Sequence, residues 1–294
     1  MPDYVWTRQN RCEEKGGKKM KVWMITGAGR GLGKAFAKEA VRNGDCVIAA
    51  VRKMPDDMLF QHENVLTVIM DVTKPDEIKS AVAAGVERFG RIDYLVNNAG
   101  FGMNGAFEEI SDEELRNLFE TDYFGVVNVC RAVIPVMRNQ RSGRIFNVSS
   151  QAGIMGFNGG SAYCAAKFAV VGLSEALNNE LNQFGIQVCA VAPGAFRTDF
   201  RDASSMHFLD HPMPEYDGTP AHTMIDWLKE NNHKQVGDPE KAAEFLYKIA
   251  IGESLPQVLT IGQDCSDAAL SHYRQFIREI ESYYDESCKT AFEE

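Results

Sequence analysis

No CxxC pair and no metal-ligand spacing occurs among the seven cysteines, which stand at positions 12, 46, 130, 164, 189, 265 and 288. Most lie inside apolar segments, where a free thiol behaves as a small hydrophobe. Neither a disulfide framework nor a bound metal is expected to organise this chain, and a reducing, cytoplasmic setting follows. Hydrophobic runs stay short of the roughly 20 residues that span a bilayer, so no membrane role is expected. The first 19 residues carry Arg8, Arg11, Lys15, Lys18 and Lys19 but no apolar block, so they do not read as a secretory signal. Excess positive charge is also lacking. The formal net charge is −10, which argues against a nucleic-acid partner. Part of that excess lies in Glu279, Glu281, Asp285, Glu286, Glu293 and Glu294, read here as a solvated acidic face. Internal repeats and low-complexity tracts are absent as well.

What is present is an alternation. Short apolar runs at 21–26, 46–51, 65–70, 94–97, 144–148, 187–191 and 257–260 are separated by segments of helical period near 31–43, 75–89, 111–139, 161–184, 220–232 and 238–252. Such alternation signals βαβ units, and continuous rather than alternating apolarity suits strands covered on both faces. Helix entries are legible at Pro75-Asp76-Glu77, at Ser111 to Glu114 and at Asp238-Pro239-Glu240. The fold class is therefore α/β: three layers, doubly wound, around a seven-stranded and mainly parallel sheet. At 294 residues and 45% hydrophobic, one large domain is expected over 20–264, with an extension at 1–19 outside it and a C-terminal helical extension over 265–294.

The first strand runs into Thr26-Gly27-Ala28-Gly29-Arg30-Gly31-Leu32-Gly33, and a helix follows. Glycines permit the tight turn and let backbone amides approach a pyrophosphate at the helix's positive end. A glycine turn in this strand-to-helix context is the expected mark of a dinucleotide site of the Rossmann type. Cofactor choice is read at the end of the second strand, where an acidic residue would hold the ribose hydroxyls of NAD. Here stands Ala49-Ala50-Val51-Arg52-Lys53, without a carboxylate. Either Arg52 or Arg30 alone could be a solvated surface charge; together they favour the 2′-phosphate of NADP(H).

Tyr163 and Lys167 form a YxxxK pair one helical turn apart, hence on one face. A phenol has a pKa near ~10, and a neighbouring ammonium favours the phenolate and brings it toward the working range. Asn147-Val148-Ser149-Ser150 precedes this pair at a strand end, a suitable platform for a hydroxyl that orients a carbonyl oxygen. With Asn97-Asn98-Ala99-Gly100 after the fourth strand and Pro193-Gly194 after the sixth, these motifs, in this order, resemble the short-chain dehydrogenase/reductase family over about Met20 to Gly262. The resemblance implies Tyr163 as general acid/base. It implies Lys167 as the group that lowers the tyrosine's pKa and binds the nicotinamide ribose, and Ser150, not Ser149, as the hydroxyl on the substrate oxygen. Asp71 and Val72 would meet the adenine. Asn98, with Ala99 and Gly100, would lie by the cofactor ribose, and Pro193, Gly194, Phe196 and Thr198 by the nicotinamide. The run from Ala49 to Arg52 and that from Pro193 to Asp199 look most like the branch with hydroxysteroid and retinol dehydrogenases. One departure stands out. Where the family carries Asn, held to position a water behind the lysine, this chain has Asp122, an oxygen acceptor that cannot donate when ionised. Asn128 lies two turns too late for the pattern.

The expected activity is hydride transfer between NADP(H) and an alcohol or carbonyl compound. A non-catalytic NADP(H)-sensing or partner-binding protein on the same fold is the alternative. Residues 194–219 form a long polar-aromatic stretch, read as a substrate lid (near 194–235 with the helix that follows) or as a surface insertion. In the C-terminal extension Tyr273, Phe276, Ile277 and Ile280 recur at helical spacing, to enclose an apolar ligand or to pack on the domain or another subunit. A homodimer or homotetramer and a small, lipophilic substrate are the expected partners.

Overall fold

Seven short runs rich in Val, Ile and Ala form the central sheet of the computed structural model, which describes residues 20–209 and 211–292. The expected extension at 1–19 lies outside the described residues. The strands are β1 (Val22–Thr26), β2 (Cys46–Val51), β3 (Val65–Ile69), β4 (Tyr94–Asn97), β6 (Gly143–Val148), β7 (Ile186–Pro193) and β9 (Val258–Ile261). They pair in the order β3-β2-β1-β4-β6-β7-β9, every pair parallel. Period-2 alternation sends Trp23, Ile25, Val47 and Ala49 to one core and Val22, Met24, Cys46 and Ile48 to the other. Helices α1 (Gly31–Arg42) and α7 (Pro239–Ala250) cover the first core; α2 (Pro75–Phe89), α4 (Gly125–Gln140) and α5 (Ser161–Leu181) cover the second. The three-layer reading of the sequence is the architecture found. Because the chain winds outward from β1 to β3 and then resumes at β4, a crevice opens at the carboxyl ends of β1 and β4, where doubly wound sheets take ligands.

One sequence reading needs correction, and two others gain detail. The single helix expected over 111–139 is α3 (Asp112–Phe119), a π-helical turn at Glu120–Phe124 and then α4. A π turn holds one residue more than an α turn and so re-aims the side chains it carries, here that of Asp122. The stretch at 194–219 is not without regular structure. Strand β8 (Met206–Phe208) pairs in parallel with β5 (Gly102–Asn104), a second small sheet whose strands are too short to show a period. Residues 220–230 form α6 (Pro220–Glu230), and the last helix, α8 (Gln263–Ser287), starts directly after β9. The apolar stripe on α8 does not pack on the domain: Phe276, Ile277 and Ile280 are 52%, 53% and 50% exposed.

Ser111 and Glu114 cap α3 reciprocally, and Asp238 caps α7, as their spacing predicts. At the amino-terminal edge of the sheet a buried carboxylate, Asp45, ties layer to layer. It accepts hydrogen bonds from Trp23 Nε1 at 2.9 Å, the Lys21 amide at 3.0 Å and the Tyr247 hydroxyl at 3.0 Å. Burial, and then the Asp45 charge, push the Tyr247 phenol well above its ordinary pKa. Asp45→Ala would strand all three donors in the core, so urea unfolding is expected to show a loss of about 3 kcal/mol. A loss under about 1 kcal/mol would show that water replaces the carboxylate.

Candidate active site

The carboxyl edge of β1 ends in the glycine turn. Gly27 and Gly31 have φ of +63° and +55°, in the left-handed region that side chains avoid. Gly33 is required for space: a Cβ there would stand 2.4 Å from both the Gly27 carbonyl and the Asn98 amide. That amide is the turn's brace. Asn98 Nδ2 donates to the carbonyls of Thr26 at 3.0 Å and Gly27 at 3.3 Å, while Thr26 Oγ1 accepts from the amides of Asn98 and Ala99. No side chain caps α1 and its first turn has no carboxylate, so its opening amides face the crevice without an internal competitor. Such a cradle, closed to a Cβ and lined by amide donors, fits a dinucleotide pyrophosphate. Gly29 and the half-buried Leu32 complete the turn.

Arg52 is exposed immediately after β2, next to the buried Val51. Arg30 is engaged elsewhere: its guanidinium donates to the Ser204 hydroxyl at 2.7 Å and carbonyl at 2.8 Å, bridging the glycine turn to the segment after β7. Asp71 Oδ1 accepts from the amide and hydroxyl of Thr73, and Val72 is buried beneath Gly125, where a Cβ would approach it to 2.6 Å. At the end of β7, Gly194 is pressed against Asp264, whose carboxylate accepts from the Ala195 amide at 2.7 Å. Phe196 bridges to Gly237, and Thr198 stands over Gly31, its Cβ 3.7 Å from where a Gly31 Cβ would be.

Five polar side chains, those of Ser149, Ser150, Tyr163, Lys167 and Asp122, converge at the end of β6. Ser149 and Ser150 separate cleanly in role. The buried Ser149 hydroxyl donates to the Lys167 carbonyl at 2.9 Å, whereas the Ser150 hydroxyl accepts from the Ala152 amide at 3.2 Å and lies near enough to the Tyr163 phenol to favour its ionised form. Lys167 Nζ lies 5.6 Å from the Tyr163 ring centre, donates to the Val148 carbonyl at 3.2 Å, and stands 3.0 Å from Asp122 Oδ2. Asp122 is fully buried in the π turn, its other oxygen accepting from the Phe101 amide at 3.0 Å. Gly100 makes the approach possible, since a Cβ there would lie 3.0 Å from the carboxylate. Asp122 thus touches the lysine directly, where the family's Asn was expected to hold a water. Asn128 donates to the Val72 carbonyl instead.

These charges correct one expectation. Burial raises the Tyr163 phenol, Lys167 pulls it down as expected, and the Asp122 charge raises it again, so the net direction is upward. Burial is the leading cause, and Asp122 opposes part of the lysine's effect. Burial also raises Asp122 above the usual carboxylate range, against the pull of Lys167. For Lys167 burial acts downward, but the charges of Asp122 and Tyr163 outweigh it and hold the ammonium above its ordinary pKa. The lysine is a firm cation.

Several participants were not singled out in the sequence. Phe200 sets its ring 6.3 Å from that of Tyr163, and Met206 and Phe200 crowd Gly102. The segment after β7 is fastened to the approach to α3 by carboxylates. Glu109 accepts from His222 and from the Met213 amide, both at 2.7 Å, Glu114 meets His207 at 2.8 Å, and Glu108 accepts from Tyr216 at 2.5 Å. These partners lie 93 to 113 residues apart, beyond any local pattern. Asp199, Asp202 and His233 gather within 4.8 Å on the same segment, where Asp202 is already hydrogen-bonded by Asn232 and His233.

The sequence profile described as short chain dehydrogenase matches residues 21–207. Oxidoreductase BOA17 of Botryotinia fuckeliana is 40% identical over 255 residues, 85% of this chain and 91% of that protein. A 3-ketodihydrosphingosine reductase of Bacteroides thetaiotaomicron is 36% identical over 244 residues, 82% of this chain and 88% of that protein. Among solved structures, a short-chain dehydrogenase from Streptomyces avermitilis superposes with a TM-score of 0.85 at 38% identity, covering 93% of this chain and 100% of its own. ElxO, solved with NADP bound, superposes at 0.68 and 27% identity, covering 82% and 97%.

Proposed function

The chain belongs to the short-chain dehydrogenase family, an oxidoreductase family, and from that premise we propose that it transfers hydride between NADP(H) and an alcohol or carbonyl substrate, with Tyr163 as the general acid/base. The observation that carries this reading is the convergence of Ser150, Tyr163 and Lys167 beside the glycine cradle. The nicotinamide, when bound, supplies or accepts the hydride. Ser150 and the Tyr163 hydroxyl hold the substrate oxygen and polarise it. Tyr163 donates its phenolic proton as an alkoxide develops, or removes that proton in the reverse direction. Lys167 stabilises the phenolate with its fixed charge and, held by Asp122 and Val148, orients toward the ribose.

For the rest of the cofactor, Gly27, Gly29, Gly31 and Gly33 with the amides of α1 receive the pyrophosphate. Asp71 and Val72 take the adenine; Asn98, Ala99 and Gly100 line the ribose side; Pro193, Gly194, Phe196 and Thr198 line the nicotinamide end. Arg52 reads the 2′-phosphate, while Arg30 serves through its grip on Ser204. A carbonyl substrate of lipophilic character is supported by Phe200 over Tyr163 and by the name of the Bacteroides thetaiotaomicron relative.

Tyr163→Phe keeps the ring and removes the proton, so turnover should fall by about 10²–10⁴ with cofactor binding unchanged. Turnover at the wild-type rate would remove Tyr163 from the role. If no carbonyl in a broad panel oxidises NADPH although the cofactor binds, the non-catalytic reading takes its place.

In titrations followed by fluorescence, NADPH should bind more tightly than NADH, and Arg52→Ala should lose most of that preference. Tighter NADH binding by the unaltered chain contradicts the assignment.

Asp122→Asn should preserve turnover and move its pH dependence. Its negative charge adds to the burial that holds the phenol up. Removing it lowers the phenol's pKa, so alcohol oxidation, which needs the phenolate, should begin at lower pH. Carbonyl reduction, which needs the protonated phenol, should fade earlier as pH rises. Loss of most activity at every pH would instead give the carboxylate an indispensable role of its own.

A further inference from the structure

From Tyr273 to Phe292 every residue is exposed, although α8 runs on to Ser287. Only the first turns of this helix are anchored, through Cys265 and Ala269 against Ile154 and Ala192. The remainder, about 22 Å of helix at 1.5 Å per residue, extends past the domain. It carries Tyr273, Phe276, Ile277, Ile280, Tyr283 and Tyr284, spaced so that all fall on one stripe. A free helix of this length is marginal in water, so a stripe of this kind calls for a covering surface.

The charges beside the stripe identify what covers it. Along one shoulder the order is Arg274 and Arg278, basic and nearer the domain, then Glu281 and Asp285, acidic and farther out. Such a shoulder is complementary to itself when turned end for end. We propose that α8 pairs antiparallel with α8 of a second copy of this chain, about a two-fold axis at Ile280. In that register Ile280 meets its own counterpart, Phe276 meets Tyr284 and Ile277 meets Tyr283. Arg278 faces Glu281, and Arg274 faces Asp285. An antiparallel two-fold sets this same shoulder of each copy face to face, as the complementarity requires. On the other shoulder Glu279 is drawn back along its own helix by Gln275 Nε2, at 2.8 Å. The net acidity of the outer half disfavours an anionic membrane as the covering surface. The pairing stands apart from the catalytic reading, because the stripe lies beyond the turn that carries Asp264.

Sedimentation of the full chain at tens of micromolar should give a dimer. Ile280→Asp places a charge on the axis and should weaken association by at least about 100-fold, with carbonyl reduction retained. Arg274→Glu with Arg278→Glu should weaken it too, and adding Glu281→Arg and Asp285→Arg should restore it, which no nonspecific apolar contact would do. In a Cys12→Ser background, Ile280→Cys should form a disulfide-linked dimer on mild oxidation. Cys288 should not, because the antiparallel register separates the two copies of it by about 24 Å along the axis. A monomeric wild-type chain, an unaltered mass for Ile280→Asp, or ready linkage through Cys288 overturns the proposal. A monomer that co-floats with phosphatidylcholine vesicles overturns it in favour of a lipid surface.

Discussion

The buried ion pair between Lys167 and Asp122, 3.0 Å long, constrains everything around Tyr163. Two charges removed from water are tolerated only with close geometry and further hydrogen bonds, and losing one partner typically costs about 3–5 kcal/mol. The local architecture supplies those conditions. The π turn rotates Asp122 inward, Gly100 leaves room for its oxygens, and the Phe101 amide takes one of them. On the other side, the Val148 carbonyl takes the ammonium where β6 ends. Strand, turn and two helices therefore meet at one electrostatic contact, and Tyr163 is positioned by the same lysine.

That contact also sets the chemistry in an unusual balance. A lysine beside a phenol lowers its pKa, but a carboxylate beside that lysine opposes the effect. Burial then dominates, and the phenol is held up. A neutral, proton-bearing tyrosine is the form that the proposed carbonyl reduction needs.

The glycine cradle and the segment after β7 are two halves of one enclosure. Arg30 joins them through Ser204, Thr198 leans over Gly31, and Glu108, Glu109 and Glu114 hold the far side of the segment near the entrance to α3. Phe200 closes on Tyr163 from this segment, which gives the phenol an apolar neighbour. A long connection without its own core is here anchored by carboxylate bonds and a two-stranded sheet, and so keeps a defined shape.

Much of this was legible in the residues because its causes are local. Continuous Val, Ile and Ala runs read as strands buried on both faces, the glycine turn as a site where backbone must approach a ligand, and the Tyr163–Lys167 spacing as one helical face. Ser111 and Asp238 announced their helix starts through bonds to amides two or three residues away. The π turn was hidden because it depends on where Asp122 must point, and that depends on Lys167, on another helix. The β5–β8 sheet and the histidine–carboxylate ties were hidden for the same reason. Each joins segments roughly a hundred residues apart, and neither segment shows a pattern alone. The direction of the Tyr163 pKa shift likewise required the sum of burial and two opposed charges. The layered fold, the glycine cradle and the shared face of Tyr163 and Lys167 could be read from the residues alone, since these follow from short-range periodicity and backbone geometry. How the charges offset one another and which faces remain uncovered emerged with the folded chain, because both depend on distances that chain separation does not encode.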